Sequence, residues 1–317
     1  MDLSVIIVNW NSAHFLRKCL KSIYENAVDL DLEVIVVDNA SYDGSDKIIH
    51  DEFSKAIYVQ SEKNCGFAAA NNLGYEHANG NSLLFINPDT EVVGDAIQRM
   101  LSVLNSRPDA GIVGCRLLNS DLSVQTSCIQ PFPTILNQVL DADVLKRWIP
   151  RAKLWGMSAL YSPIFEPLEV EAISGACIMT TKTIFDEINR FSTEYFMYSE
   201  DIDLCWKAKK KGYKVYFIGN AEVIHHGGGS SKKHDNSLFG AVQMRASIYK
   251  FLIKAKGRYY AYIYRAIMLM VALCRIIAIA LILPAVILFK DKNEVFQTLQ
   301  KWKGILRWSL GLEQWVR

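Results

Sequence analysis

Several short polar stretches carry residue types that can do chemistry. Three carboxylates fall within four residues in Tyr198-Ser199-Glu200-Asp201-Ile202-Asp203. Such a cluster is ordinarily a solvated helix N-terminus, where the macrodipole favours negative charge. Here it is flanked by Phe196, Met197, Leu204 and Trp206, which predicts partial enclosure. An enclosed carboxylate that can accept a hydroxyl proton is what a general base requires. Asp89, in Asn87-Pro88-Asp89, offers a hard oxygen to a divalent cation, with Glu91 nearby; a cation that carries a diphosphate needs only one or two protein ligands. The bland alternative is a capping Asp. The run His225-His226-Gly227-Gly228-Gly229-Ser230-Ser231 combines imidazoles with glycines that allow close approach to a phosphate, or it is a surface loop. Gly66, followed by Phe67-Ala68-Ala69-Ala70, could bring backbone to a phosphate or simply turn the chain into a helix. Neither GxGxxG nor GxxxxGK[ST] is present, which argues against a nicotinamide enzyme or a P-loop ATPase.

These groups need elements to hold them. Leu3–Asn9, Leu32–Asp38, Ala56–Gln60 and Ser82–Ile86 are short apolar runs that read as strands. Between them Ser12–Asn26, Asp46–Phe53 and Phe67–Ala78 read as helices, and Asp95–Asn105 follows the fourth strand. Strands that are apolar almost throughout, alternating with helices, predict an α/β fold with a mostly parallel sheet covered on both faces. Ligands then bind beyond the carboxyl ends of the strands. Asn9-Trp10-Asn11, Asp38-Asn39-Ala40 and Asn87-Pro88-Asp89 stand at three such ends. Each alone is ordinary turn chemistry; together they predict a binding rim. Residues 120–168 hold five of the eight prolines and read as loop-rich. Beyond them lie ordered segments at Val170–Thr181, a helix at Ile202–Lys211, strands at Tyr213–Ile218 and Glu222–His225, and a long helix near Asn236–Lys256.

The 317 residues are half apolar, which excludes a disordered chain. The net charge of +2 conceals a division: residues 245–317 carry +10 and residues 1–244 carry −8. The expected organisation is a catalytic domain over 1–244 and a helical, membrane-associating tail over 245–317, with an anionic membrane surface rather than nucleic acid as the partner. The seven cysteines form no CxxC pair and read as buried, reduced thiols. The first apolar run is too short for a secretory leader, so the body is expected in the cytoplasm.

In chain order, SVIIVNWN, VVDNASYDGS, NCGFAAANN, INPDTE, SEDIDLCW and HHGGGS resemble glycosyltransferase family 2, in particular its rhamnosyltransferase-like enzymes of bacterial surface polysaccharides. The resemblance covers about residues 1–250. It implies a Rossmann-like GT-A fold, a dTDP- or UDP-sugar donor, a divalent metal (Mg2+ or Mn2+), inversion at the anomeric carbon and a lipid-linked saccharide acceptor at the cytoplasmic membrane face. Carried onto this chain, it implies donor contacts from Asn9, Asn11, Asp38, Gly66 and Asn87, with Arg245 and Ser231 as further phosphate contacts. Asp89 and His225, in preference to His226, become metal ligands, and Asp201 becomes the base with Glu200 and Asp203 beside it. Two departures matter. Asn87 replaces the first acid of the family's Asp-x-Asp, which predicts a metal held mostly by diphosphate and weakly without donor. The Gln-x-x-Arg-Trp run of processive relatives is missing, which predicts one sugar per encounter. A nucleotidyltransferase acting on a sugar phosphate and a silent, membrane-tethered binding module are the competing readings.

In the tail, Ala266–Phe289 has one charge, Arg275, in 24 residues. As a helix it is about 36 Å long, enough for a hydrocarbon core. Lys250, Lys254, Lys256, Arg258 and Arg265 precede it, and Lys290, Lys292, Lys301, Lys303 and Arg307 follow it. Cations on both flanks argue against a single crossing and fit a re-entrant or in-plane anchor; a buried helix pair is the alternative. Asn293–Trp315 reads as a basic amphipathic helix broken at Gly304 or Gly311, with Trp302, Trp308 and Trp315 suited to a headgroup boundary.

Overall fold

The computed structural model describes residues 1–27, 29–140, 148–163, 165–227, 236–286 and 292–313. It divides into two units: Met1–Phe132, Arg147–Phe196 and Glu200–Ser230 form the first, and Pro133–Lys146, Met197–Ser199 and Ser231–Arg317 the second. The expected boundary at residue 244 falls inside one unbroken helix, Asn236–Lys256.

In the first unit, β1 (Leu3–Asn9), β2 (Leu32–Asp38), β3 (Ile57–Gln60) and β4 (Ser82–Ile86) lie in the order β3-β2-β1-β4, all parallel. Every residue of β1 and β4 is buried, which explains their continuous apolar sequence. Between them α1 (Ala13–Asn26) buries Leu16, Leu20 and Ile23, spaced at helical intervals; α2 (Ser45–Glu52) and α3 (Phe67–Tyr75) cover the next two crossovers. Chain order reverses between β1 and β4, the switch point where ligands bind in such sheets.

Beyond β4 the sheet continues with strands that were harder to read. β5 (Thr90–Val93), α4 (Ala96–Ser106) and β6 (Ala110–Leu118) come next in the chain. The two-residue β7 (Ile129–Gln130) lies in the loop-rich segment and pairs with β9 (Ala172–Ile173). After β8 (Leu168–Val170), β10 (Cys177–Thr181) inserts antiparallel between β4 and β6. β11 (Lys214–His225) is parallel to β6. Six of the nine strands of this sheet run one way; β5, β8 and β10 run against them. The sequence suggested two strands where β11 is one. Register against β6 shifts between Ile218 and Glu222, so Gly219-Asn220-Ala221 bulge without ending the strand. α6 (Lys182–Glu187) and α7 (Glu200–Lys210) complete the unit, and Phe85, Phe185 and Phe191 pack ring to ring in its core.

The second unit is helical and holds the short α5 (Ile135–Val139), capped by Thr134. α8 (Asn236–Lys256) is followed by Gly257 at φ +91°, then α9 (Arg258–Val286) and α10 (Lys292–Ser309). α10 returns antiparallel along α9: Arg275 lies over the Trp302 ring at 5.2 Å and Arg265 over the Trp308 ring at 5.5 Å. The helix is not broken at Gly304, whose missing side chain makes room for Leu238 of α8, and it ends ahead of Gly311 at φ +82°. One expectation is corrected here. Trp308 is only 5% exposed, against Tyr249, Tyr264 and Arg265, because the antiparallel return turns it inward and away from any headgroup boundary. Trp315 lies outside the described residues.

Candidate active site

Parallel register sets Asn9 opposite Asp38 at the carboxyl ends of β1 and β2. Asn9 Nδ2 donates to Asp38 Oδ1 at 3.1 Å, and it also lies 3.2 Å from Ser41 Oγ and 3.3 Å from both Asp43 oxygens. Asn9 Oδ1 is buried with no hydrogen-bond partner. A buried acceptor left unsatisfied is costly, and a ligand donor at this rim would remove that cost. Asp38 is fully buried and also accepts from Ser41 and from Gln60 Nε2. Asn11 is exposed on the same loop, in a left-handed conformation that Asn tolerates.

Asn87 and Asp89 follow β4, and β5 begins at the next residue. Because β5 pairs antiparallel with β11, Thr90 sits opposite His225. The ladder carries on as His226 N donates to Asp89 O at 2.9 Å. Two residues 136 positions apart in the chain thereby meet: His225 Nε2 is 3.4 Å from Asp89 Oδ1 and 3.4 Å from Asn87 Nδ2. His225 Nδ1 lies 2.7 Å from Gln125 Oε1. A carbonyl oxygen only accepts, so Nδ1 carries the hydrogen and Nε2 keeps its lone pair, the tautomer of a metal-ligating histidine. His226 points elsewhere, with Nε2 2.8 Å from Glu91 Oε1 and Nδ1 2.8 Å from Ser120 Oγ. One carboxylate and one imidazole suit a hard or borderline cation whose other ligands come from a diphosphate. Among the described residues no group of three or more His, Cys, Asp or Glu is placed to hold a metal.

At the start of α7 the three carboxylates are enclosed: Glu200 is 7% exposed, Asp201 9% and Asp203 not at all. Asp203 is structural, accepting from Ser192 Oγ at 2.6 Å and pairing with Lys207. Asp201 is held by three donors. Its Oδ2 accepts from Gly175 N at 2.9 Å and Gln130 Nε2 at 3.1 Å, and its Oδ1 from Ile202 N at 2.8 Å. Burial pushes the Asp201 carboxyl above its ordinary value, and those three hydrogen bonds oppose the shift. Burial, followed by the charge of Asp201, pushes Glu200 well above its own. Glu200 Oε2 is buried with no hydrogen-bond partner. The two adjacent carboxyls thus differ: the burial of Glu200 is opposed by its own backbone alone, whereas three donors favour charge on Asp201, which suits Asp201 better to proton acceptance.

Gly66, at φ +85°, has a clear local reason. A Cβ there would run into the Phe196 carbonyl, to which Phe67 N donates at 3.0 Å. Arg245 lies in the second unit, 8% exposed, where Nη1 donates to Gln138 Oε1 at 2.6 Å. Ser231 lies outside the described residues. Sequence reasoning missed Gln125, Gln130 and Asp43, since an amide or acid in a loop has no spacing that marks its partner.

Comparison with known proteins bears on the fold and the class of activity. The family model "Glycosyl transferase family 2" matches residues 4–149. The N-acetylglucosaminyl-diphospho-decaprenol L-rhamnosyltransferase of Mycobacterium tuberculosis is 27% identical over 237 residues, 71% of this chain and 76% of the relative. Rhamnosyltransferase WbbL of Escherichia coli (strain K12) is 24% identical over 276 residues, 81% of this chain and 92% of the relative. Among solved structures, the mannosyltransferase PcManGT from Pyrobaculum calidifontis, in complex with GDP-Man and Mn2+, shares the GT-A fold at a TM-score of 0.60 and 15% identity, over 98% of this chain and 88% of that one. On sequence and fold together, the chain is a glycosyltransferase whose residues 4–149 match glycosyl transferase family 2, and it resembles the rhamnosyltransferases of polysaccharide biosynthesis.

Proposed function

We propose that the chain transfers one sugar per encounter, with inversion, from a dTDP- or UDP-sugar to a lipid-linked saccharide, and that rhamnose is the sugar. The observation that carries this reading is Asp201, a buried carboxyl set by Gly175 and Gln130 and raised above its ordinary value by burial. The acceptor hydroxyl oxygen forms the new bond to the anomeric carbon as its proton passes to Asp201. The bond from that carbon to the diphosphate breaks on the opposite face, and the nucleoside diphosphate leaves. Asn9 and Asp38 orient the nucleoside at the β1–β2 end. Asp89 and His225 hold the divalent metal, which when bound supplies positive charge to the leaving diphosphate. Support for the sugar and the acceptor class comes from the M. tuberculosis relative, whose name specifies rhamnose and a decaprenol-borne saccharide. A donor panel assayed with Mn2+ or Mg2+ tests the reading. Nucleoside diphosphate release is expected; inorganic diphosphate would show a nucleotidyltransferase, and no turnover with any donor a binding module.

The second unit supplies the route to a lipid-borne acceptor. Among the described residues one helix, Arg258–Leu281, is long and apolar enough to cross a membrane, with a mean hydropathy of 2.1 and 17% of that stretch buried. Its buried stripe is Ala261, Tyr264, Met268 and Ala272. The opposite stripe, Tyr262, Ile263, Met270, Leu273, Ile277 and Leu281, is exposed and apolar, and Lys254, Lys256 and Arg258 are exposed beside its start. A helix with α10 along one side and apolar residues on the other suits an in-plane anchor on the anionic cytoplasmic face of the inner membrane. Flotation with vesicles of anionic and neutral lipid tests it: binding to anionic vesicles that Ile263→Asp with Ile277→Asp abolishes is expected, and a double variant that floats like the parent overturns it.

A further inference from the structure

Gln125 and Gln130 bracket the short turn Thr126–Cys128, in the segment the sequence leaves as loop. Each meets a different candidate group: Gln125 Oε1 lies 2.7 Å from His225 Nδ1, and Gln130 Nε2 lies 3.1 Å from Asp201 Oδ2. We infer that residues 125–130 form a positioning strap that sets the metal-ligating imidazole and the general base together, an inference that rests on the roles proposed for His225 and Asp201.

The orientation of Gln125 is determined by its other contacts. Its Nε2 faces Asn119 Oδ1 at 3.0 Å and His225 O at 3.4 Å, both acceptors, so its carbonyl must face the ring. That carbonyl holds the hydrogen on Nδ1 and directs the Nε2 lone pair to the Asp89 side. At the other end, Gln130 has a carboxyl oxygen of Asp201 as its partner, and a donor there both fixes the side chain and favours its charged form. The strap itself is anchored: Gln125 N donates to Leu117 O at 2.8 Å, Ser174 N to Cys128 O at 3.0 Å, and Ile129 and Gln130 pair with Ile173 and Ala172. Cys128 and Ile129 are buried. Five Cα-to-Cα steps separate the two glutamines by at most about 18 Å, so a shift of the strap moves both groups. The titratable groups that feel Asp201 are Glu200 and Cys205 on its own helix, while Gly175 and Gln130 meet it from other elements as uncharged donors.

The test uses the full chain, with UDP and Mn2+ as the probe and Asp201 followed through its carboxyl carbon-13 resonance. Gln125→Leu is expected to weaken Mn2+ binding in the presence of UDP by about 10–100-fold, the range for partners of metal-ligating histidines. Gln125→Glu keeps an acceptor oxygen and is expected to bind within about threefold of the parent. Gln130→Leu is expected to leave Mn2+ binding alone and raise the Asp201 titration by about one pH unit. Parent-like metal binding in Gln125→Leu, equal losses in Gln125→Leu and Gln125→Glu, or an unmoved Asp201 titration in Gln130→Leu each overturns the strap. Failure of the underlying reading looks different: His225→Ala would keep its Mn2+ affinity, or Asp201→Asn its turnover, whatever the glutamine variants do.

Discussion

His225 turns its Nε2 toward Asp89, 3.4 Å from Oδ1, while the very next residue, His226, meets Glu91 at 2.8 Å. Successive residues at a strand end point to opposite faces, so only one of the two histidines can reach Asp89. His225→Ala should therefore lose metal binding in the presence of nucleoside diphosphate by at least about tenfold. His226→Ala should bind metal as the parent does but lose about 1–2 kcal/mol of stability with its hydrogen bonds to Glu91 and Ser120. Calorimetric titration and thermal melting of the two variants separate these roles.

Asp201→Asn removes the proposed proton acceptor while keeping volume and two of the side chain's contacts. Turnover is expected to fall at least about a hundredfold, with donor binding kept. Parent-like turnover at saturating substrate would place the base elsewhere.

Glu200 gives the chain a pH signature. Burial and the charge of Asp201 hold its carboxyl well above the ordinary 4.5. The folded state then binds more protons than the unfolded one, so this carboxyl lowers stability as pH rises from the unfolded value toward the folded one. Glu200→Gln should be more stable than the parent by about 1–3 kcal/mol near pH 7, and the two melting curves should converge at about pH 4 and below. Curves separated by a constant amount across that range would show that Glu200 is not the titrating group.

Gly66 combines φ +85° with the Phe196 carbonyl where a Cβ would stand. Gly66→Ala is expected to cost at least about 2 kcal/mol, from backbone strain and displacement of that carbonyl. A melting temperature within a degree of the parent would show that the turn can relax.

The sequence exposes those parts of the fold whose burial is complete. β1, β2 and β4 match the expected Leu3–Asn9, Leu32–Asp38 and Ser82–Ile86 because strands covered on both faces are apolar throughout. β5 was missed because Thr90–Val93 is four residues long and half polar, and only its pairing with β11 makes it a strand. That pairing joins Asp89 to His225 and not to His226, so these two candidates were legible by residue type and their meeting was not. Gln130 shows the limit more sharply. Its partner Asp201 is 71 residues away, and nothing local to a glutamine before a proline announces that contact.

The antiparallel return of α10 also has a consequence in time. Arg265 donates to Ser309 O at 3.1 Å and Trp308 O at 2.8 Å, and Arg275 lies over Trp302. None of these partners has been synthesised when Val286 is added. At about 5–20 residues per second, the interval between completing Val286 and completing Ser309 is about one to five seconds. Through that interval Arg265 and Arg275 have no last helix to meet, so the packing of that side of α9 waits on the synthesis of α10.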